Sequence, residues 1–169
     1  MWANFKQTGF TIVELLIVIV VIAILAAISV VAYNGVQARA HDSERQADID
    51  AVSKKLSEFR IINGYYPRYD DMVDNNLSWI HTNLTGLPDS AVIAPSGTDA
   101  NSFNGGMSPE PNEYSYRSYF DDSGGTQRYC SQATLTTYAK TVADCNRYEL
   151  RWHSESDNTM KLFKSRFGW

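Results

Sequence analysis

One long apolar segment dominates the N-terminal third of the chain. From Leu15 to Ala38 no residue is charged, and a run of that length is enough for a helix to cross the ~30 Å hydrocarbon core of a bilayer. A single carboxylate, Glu14, stands at the edge of this segment. An ionised Glu there costs on the order of 2.5 kcal/mol or more unless a partner neutralises it. The pattern therefore predicts a membrane helix and marks Glu14 as a candidate functional residue.

The helical pattern continues beyond the membrane segment, now with one apolar face. Four large apolar residues recur at steps of three and four, which places them on one side of a helix. They are Ile49, Val52, Leu56 and Phe59. Asp50 and Lys54 are spaced to form an i,i+4 ion pair on the other side. Asn63-Gly64 is predicted to end the helix, because Gly accepts the left-handed conformation of a C-terminal cap.

The remaining chain predicts a polar connection followed by a small sheet. Residues 64–113 are rich in Asn, Asp, Ser, Gly and Pro, with one short helix predicted around Leu77, Trp79, Ile80 and Leu84. Four later segments alternate apolar and polar positions, as half-buried strands do. They are Tyr114–Phe120, Arg128–Leu135, Arg147–His153 and Met160–Phe163. Because such a meander needs a helix on its apolar face, the predicted fold is α+β, with a long N-terminal helix packed on a small antiparallel β-sheet.

Composition and charge argue against several classes of function. The 169 residues allow one membrane helix and one compact domain. The net charge of −4 argues against nucleic acid as the main partner, since a sequence-independent grip on phosphates needs clustered Lys and Arg. The histidines are dispersed without zinc-ligand spacing, and the sequence has no phosphate-binding loop or nucleophile elbow. We therefore expect no enzyme activity, no cofactor and no metal.

The junction before the apolar segment carries the most specific motif. Its residues, Gly9-Phe10-Thr11-Ile12-Val13-Glu14-Leu15-Leu16, resemble the class III signal of the type IV pilin and pseudopilin family. The resemblance implies that a prepilin peptidase cuts between Gly9 and Phe10 and that the new N-terminal Phe10 is methylated. It also implies that Glu14 pairs with the N-terminal amine of a neighbouring subunit.

A second segment supports the same family. The helix-ending residues Asn63-Gly64-Tyr65-Tyr66-Pro67 are similar to the turn by which many pilins, and the major pseudopilins of type II secretion, leave their long helix. This turn occurs in both subfamilies, so it does not separate a pilin from a pseudopilin.

The resemblance implies a pilin-like ladle made of three parts. Residues 1–9 would be a leader peptide, residues 10–38 a hydrophobic transmembrane and polymerisation helix, and residues 39–169 a globular head. Within the head, the expected parts are a helix over 39–63, a variable loop over 64–113 and an antiparallel sheet over 114–164.

The resemblance also implies a set of partners and a cellular location. The expected partners are a prepilin peptidase and N-methyltransferase, copies of the chain in a helical filament, the pilus assembly platform with its ATPase machinery, and the membrane before assembly. The expected location is the cytoplasmic membrane, crossed once with the N-terminus in the cytoplasm, and then an extracellular filament. Charge alone does not set this orientation, because Lys6 precedes the apolar segment and Arg39 and Arg45 follow it.

The two cysteines, Cys130 and Cys145, are either disulfide-bonded or two buried free thiols. A disulfide would close a loop of 16 residues, counting both ends, and would stabilise the fold by about 3 kcal/mol in the chain-entropy model. Pilins commonly carry a C-terminal disulfide loop, so the resemblance favours the disulfide and a head outside the cytoplasm.

Three functions remain open from the sequence. The first is a structural subunit of a type IV pilus, serving adhesion, surface motility or DNA uptake. The second is a major-type pseudopilin of a type II secretion system. The third is a signal-anchored binding domain that never polymerises. A conventional secretory signal cut after Ala38-Arg39-Ala40 would fit the A-x-A rule, but the apolar core is too long for one and Glu14 interrupts it.

Overall fold

The computed structural model describes residues 9–73, 77–95, 97–99 and 101–166, and of Val31 only the backbone. Apart from Gly9, the predicted leader lies outside the described residues. The chain divides into two compact units between Gln37 and Ala38. One helix, α1, contributes residues to both units, and all strands belong to the second.

The helix α1 is continuous over 52 residues, Ile12–Asn63. Gly64 follows it with a φ of 85°, a left-handed conformation that glycine adopts without strain. The Gly64 N–H donates to the Arg60 carbonyl at 2.7 Å, and the Asn63 side-chain amide donates to the Phe59 carbonyl at 2.9 Å. These bonds satisfy carbonyls that the end of a helix leaves open. The predicted helix end at Asn63-Gly64 is confirmed.

The connection after α1 is more structured than a plain loop. It contains two short helices, α2 (Tyr69–Met72) and α3 (Ser78–Asn83), and a 3₁₀ turn over Asp89–Val92. The helix α3 lies where the sequence predicts a short helix. Its Ile80 is buried, and Trp79 packs against the core.

The second unit contains a five-stranded mixed sheet. Its strands are β1 (Phe103–Asn104), β2 (Tyr114–Asp121), β3 (Gln127–Tyr129), β4 (Arg147–Ser154) and β5 (Thr159–Lys164). The order is β1-β2-β4-β5, with β3 also pairing with β2. All pairs are antiparallel except β1 with β2, which is parallel. The α+β fold is therefore confirmed, but the expectation of a purely antiparallel sheet is wrong at β1.

One predicted strand is largely wrong. The segment Arg128–Leu135 forms strand only up to Tyr129, and a helix, α4 (Gln132–Thr137), follows. Ser131 starts this helix, because its hydroxyl accepts a hydrogen bond from the Thr134 N–H at 3.1 Å. Such a cap satisfies a donor at the helix start, and the helix buries Leu135.

The main core lies between the second half of α1 and one face of the sheet. All four residues of the predicted helix face are buried, and each burial of a large apolar side chain stabilises by roughly 1.5–3 kcal/mol. The buried side chains from α1, β2 and β4 are Ile49, Val52, Leu56, Phe59, Tyr114, Tyr116, Tyr148, Leu150 and Trp152. The amphipathic pattern of α1 is confirmed.

The predicted ion pair between Asp50 and Lys54 is absent from the described part of the chain. The Asp50 carboxylate instead accepts a hydrogen bond from the Gln46 amide at 3.1 Å, one turn earlier in α1. Both side chains are exposed. An exposed pair of this kind contributes only a few tenths of a kcal/mol, so its loss is inexpensive.

Cys130 and Cys145 form a disulfide. It belongs to a second, smaller apolar cluster that contains Phe120 and Leu135. The carbonyls of the two cysteines accept backbone N–H donors from the connection after α1: Tyr69 donates to Cys130 at 2.7 Å, and Tyr66 donates to Cys145 at 2.8 Å. The disulfide loop therefore holds the chain segment that leads away from α1.

Removing this disulfide is expected to destabilise the chain strongly. We predict that Cys130→Ala with Cys145→Ala lowers the free energy of unfolding by about 3 kcal/mol, from the loop-closure entropy alone. Denaturant unfolding of the full chain in detergent measures this change. Adding a reductant should lower the stability of the unchanged chain and leave the double variant unaffected. A loss below about 1 kcal/mol would contradict the prediction, because it would mean that the loop is held without the bond.

Candidate assembly and processing site

The first unit presents an apolar helical surface that none of the described residues covers. Every described side chain from Gly9 to Gln37 is exposed, and Phe10 keeps 87% of its surface. Among the described residues, α1 is the one helix long and apolar enough to cross a membrane. An apolar surface of this extent is not stable in water, so it requires lipid or protein around it.

Glu14 closes the first turn of α1. Its Oε2 accepts hydrogen bonds from the Thr11 N–H at 2.8 Å and from the Thr11 hydroxyl at 2.7 Å. The Glu14 N–H donates in return to Thr11 Oγ1 at 3.2 Å. Since Thr11 precedes the first helical residue and Glu14 is the third, the pair forms a capping box that satisfies two open donors of the helix. Oε1 of Glu14 accepts no hydrogen bond within the described residues.

The structure brings together three of the predicted site residues. Gly9 and Phe10 are separated from α1 only by its cap Thr11, and Glu14 lies in the first turn of α1. Cys130 and Cys145 belong to the second unit. Sequence reasoning missed Thr11, although the spacing Thr-x-x-Glu at a helix start is the known signal of a capping box. The proposed cleavage and methylation at Gly9-Phe10 remain predictions.

A buried arginine, Arg45, anchors the second half of α1 to distant parts of the second unit. Its side chain is fully buried. Nη2 donates to the Pro111 carbonyl at 2.7 Å and also to Glu155, and Nη1 donates to Asp42 at 3.1 Å. Sequence reasoning missed this role. The only signal is that Arg45 stands four residues before Ile49, on the helix face that is otherwise apolar.

Asp42 and Glu155 complete this network at the turn between β4 and β5. Asp42 accepts hydrogen bonds from the Ser156 N–H at 2.9 Å, the Ser154 hydroxyl at 2.8 Å and the Glu155 N–H at 2.9 Å. Burial works to raise the pKa of Asp42, but these bonds outweigh it and hold the pKa well below its ordinary value. Hydrogen bonds from Arg45 and His41 likewise outweigh burial and lower the pKa of Glu155. The network therefore fixes the β4–β5 turn on α1 with ionised groups.

A second buried acid, Asp48, has a raised pKa instead of a lowered one. Asp48 is only 9% exposed, and its carboxylate accepts a hydrogen bond from the Tyr114 hydroxyl at 2.6 Å. Burial raises the pKa of Asp48 to about 6, the Tyr114 bond opposes this rise, and the negative charge of Glu44 adds to it. Burial and the contact with Asp48 raise the pKa of Tyr114 as well. Ionisation of Asp48 therefore lowers the stability of the folded chain.

We therefore predict that Asp48→Asn raises the free energy of unfolding by an amount that depends on pH. The pKa is higher in the folded chain than the ordinary 3.8, so the folded state binds more protons between roughly pH 4 and 6 and stability falls as pH rises through that window. The amide keeps an acceptor for Tyr114 and removes the charge. We expect a gain on the order of 1–2 kcal/mol above pH 6.5 that vanishes near pH 4, since one pKa unit corresponds to about 1.4 kcal/mol.

Thermal unfolding of both chains across this pH range measures the gain. Asp50→Asn, on the exposed side of the same helix, is the matched control and should show no such dependence. A gain for Asp48→Asn that is equal at pH 4 and pH 7 would contradict the assignment.

Within the described ranges, no group of three His, Cys, Asp or Glu side chains is arranged to hold a metal ion. The described residues present three features that bear on function: an exposed apolar helix, a carboxylate with one open oxygen, and a disulfide in the second unit.

Comparison with known proteins gives two kinds of match. The prokaryotic N-terminal methylation motif matches residues 4–30. Among curated relatives, the type IV major pilin protein PilE of Neisseria gonorrhoeae is 37% identical over 65 residues, which are 38% of this chain and 39% of the pilin. Type II secretion system core protein G of Escherichia coli strain K12 is 36% identical over 67 residues, 40% of this chain and 46% of that protein.

A longer match is found with the fimbrial protein EcpC of Eikenella corrodens. It is 35% identical over 94 residues, 55% of this chain and 58% of EcpC. The chain thus spans less than two thirds of the length of these relatives. No solved structure matches the chain significantly. The methylation motif, the pilin and pseudopilin relatives, and the long helix followed by a small mixed sheet together support the placement of this chain in the type IV pilin and type II secretion pseudopilin family.

Proposed function

We propose that this chain is the structural subunit of a type IV pilus, cut between Gly9 and Phe10 and polymerised through the apolar half of α1. The observation that carries the proposal is the fully exposed apolar half of α1, most of which lies within the residues 4–30 that match the methylation motif. In the membrane, lipid would cover this surface. In a filament, the same surface of neighbouring copies would cover it, and hydrophobic burial would hold the subunits together.

Glu14 would set the register between neighbouring helices. The cap occupies Oε2 and leaves Oε1 available, so the carboxylate can receive the N-terminal amine of a neighbour without giving up the helix start. A charge pair at ~4 Å attracts by about 4 kcal/mol at an effective dielectric near 20, offset by desolvation of both groups. The pair would therefore favour one axial register more than it would add stability.

The disulfide supports an extracytoplasmic head. Disulfides persist in oxidising compartments and are rare in the cytoplasm, and Cys130–Cys145 lies in the second unit. We propose that the N-terminus is cytoplasmic, that a prepilin peptidase and N-methyltransferase processes it, and that the assembly platform and its ATPase lift the helix out of the membrane.

A second candidate is a pseudopilin of a type II secretion system. It is favoured by the match to core protein G, which is about as strong as the match to the gonococcal pilin. Shearing cells that express the chain at native levels separates the two functions. A pilus subunit is expected in the sheared extracellular fibres, and its deletion should leave protein secretion intact. A chain found only in the envelope, whose deletion blocks secretion, would instead be a pseudopilin.

The third candidate is an anchored domain that never polymerises. It would be absent from sheared fibres, its deletion would leave secretion intact, and it would remain a monomer in the membrane. Chemical cross-linking of intact cells would then yield no ladder of higher oligomers, and the proposal of a filament subunit would fail.

A further inference from the structure

A cleft of about 390 Å³ opens beside the second half of α1. Its apolar lining is the stacked pair Tyr148 and Phe163, whose ring centroids are 6.2 Å apart. The wall that α1 contributes carries short serine side chains, and the charged lining comes from Asp50, Lys54 and Arg166. We call this the α1–β5 cleft.

Neither cation of the α1–β5 cleft forms an ion pair with a carboxylate among the described residues. The nearby Glu58 is bound by Lys55 at 2.9 Å, and the charge of Lys54 acts on Glu58 only from a greater distance. Arg166 is exposed. With Asp50 as the carboxylate in the lining, the cleft carries one net positive charge beside the half-buried ring of Phe163. A partner for the cleft therefore needs an apolar side chain with acidic neighbours.

A loop in the same unit has that chemistry. The segment Met107–Glu113, called the acidic loop here, exposes 55% of the Met107 surface. Glu110 and Glu113 form no ion pair with any described residue. The two residues close a turn: the Glu110 N–H donates to the Glu113 carboxylate at 3.2 Å, and the Glu113 N–H donates to the Glu110 carbonyl at 2.9 Å.

The sheet holds the start of the acidic loop on the side away from the core. The Met107 carbonyl accepts a hydrogen bond from Arg151 at 3.0 Å, and the preceding Gly106 carbonyl accepts one from Ser115 at 2.5 Å. Arg151 and Ser115 are direct partners across β4 and β2, and they alternate with the core residue Leu150, so they point to the opposite face of the sheet. Further along the loop, the Pro111 carbonyl accepts hydrogen bonds from Arg45 on α1. No described hydrogen bond or ion pair joins the loop to the cleft within one chain.

We propose that the acidic loop of one copy docks in the α1–β5 cleft of the next copy. Met107 would contact the half-buried ring of Phe163, and the two glutamates would approach Lys54 and Arg166. Because the two surfaces differ, the contact can repeat head-to-tail, and a repeated contact that does not close into a ring builds an open helical assembly. This inference rests on the proposed function and names the contact between heads that a filament would use.

Charge exchange in the full chain tests the docking. Lys54→Glu with Arg166→Glu, and separately Glu110→Lys with Glu113→Lys, should each lower the yield of sheared filaments roughly fivefold or more, the range expected when like charges face each other. The level of membrane-stored subunit should stay unchanged. Combining all four substitutions should restore the yield to within about twofold. Asp99→Lys, at an exposed acid outside both surfaces, is the control and should leave assembly unaffected.

A cross-link provides a second readout that does not depend on yield. Ser57→Cys lies in the cleft and Ser108→Cys in the acidic loop. Oxidised filaments of the double variant should run as a ladder of dimers, trimers and higher species, while each single variant should give no ladder. Filaments that form without a ladder, or charge variants that are not rescued by combination, would overturn the inference and leave the proposed function standing. If the unchanged chain forms no filaments at all, the proposed function fails and the docking fails with it.

Discussion

Glu14→Gln is expected to abolish filament assembly while it leaves the start of α1 intact. Glutamine can accept the Thr11 N–H as glutamate does, so the capping box survives. What is lost is the negative charge that would receive the N-terminal amine of a neighbour. We expect the yield of sheared filaments to fall roughly tenfold or more, the factor that about 1.4 kcal/mol per contact produces.

Two further variants separate the effect of the Glu14 charge on assembly from the effect of the capping box. Thr11→Val removes the capping hydroxyl and keeps the carboxylate, so it should weaken the helix start by about 1 kcal/mol and reduce assembly less than Glu14→Gln does. Glu44→Gln removes an exposed carboxylate elsewhere on α1 and is the matched control. Immunoblots of sheared and membrane fractions measure each yield. Normal filaments from Glu14→Gln would show that the charge of Glu14 has no part in assembly.

Arg45→Ala is expected to be the most destabilising single substitution in the head. The guanidinium is fully buried and donates to Pro111, Asp42 and Glu155. Its removal leaves two ionised carboxylates without their cation and a cavity beside α1. Breaking a buried ion pair on one side costs about 3–5 kcal/mol, which exceeds the expected effect of losing the disulfide.

Thermal unfolding of the full chain in detergent measures this loss. Arg39→Ala is the control, because Arg39 is exposed on the same helix and forms no ion pair within the described residues. Its effect should stay within about 0.5 kcal/mol. Equal effects of the two substitutions would show that the buried network does not hold the β4–β5 turn.

The elements that the sequence predicted well are those with a strong periodic pattern. The apolar face of α1 and its end at Asn63-Gly64 follow from spacing and from a glycine whose conformation is favourable there. The strand β1 could not be predicted, because two residues, Phe103–Asn104, are too few to show an alternation. The helix α4 was mistaken for strand because its threonines favour strands, and the cap from Ser131 decides the outcome.

The candidate site was predictable only where its residues are contiguous. Gly9, Phe10 and Glu14 belong to one short motif, and Thr11 could have been added from the same motif. The burial of Arg45 could not be inferred, since its partners Pro111 and Glu155 are 66 and 110 residues away in sequence. The proposed contact between loop and cleft has no sequence signal, because it depends on surfaces that only the folded second unit presents.

The mature N-terminus is the most direct test of the proposed processing and assembly. Mass spectrometry of the subunit from sheared extracellular fibres should show a chain that begins at Phe10 with a methylated amine. A chain that retains Met1, or one that begins at His41 after cleavage behind Ala38-Arg39-Ala40, would contradict the account. In the first case α1 would only anchor a domain, and in the second it would be a discarded secretion signal.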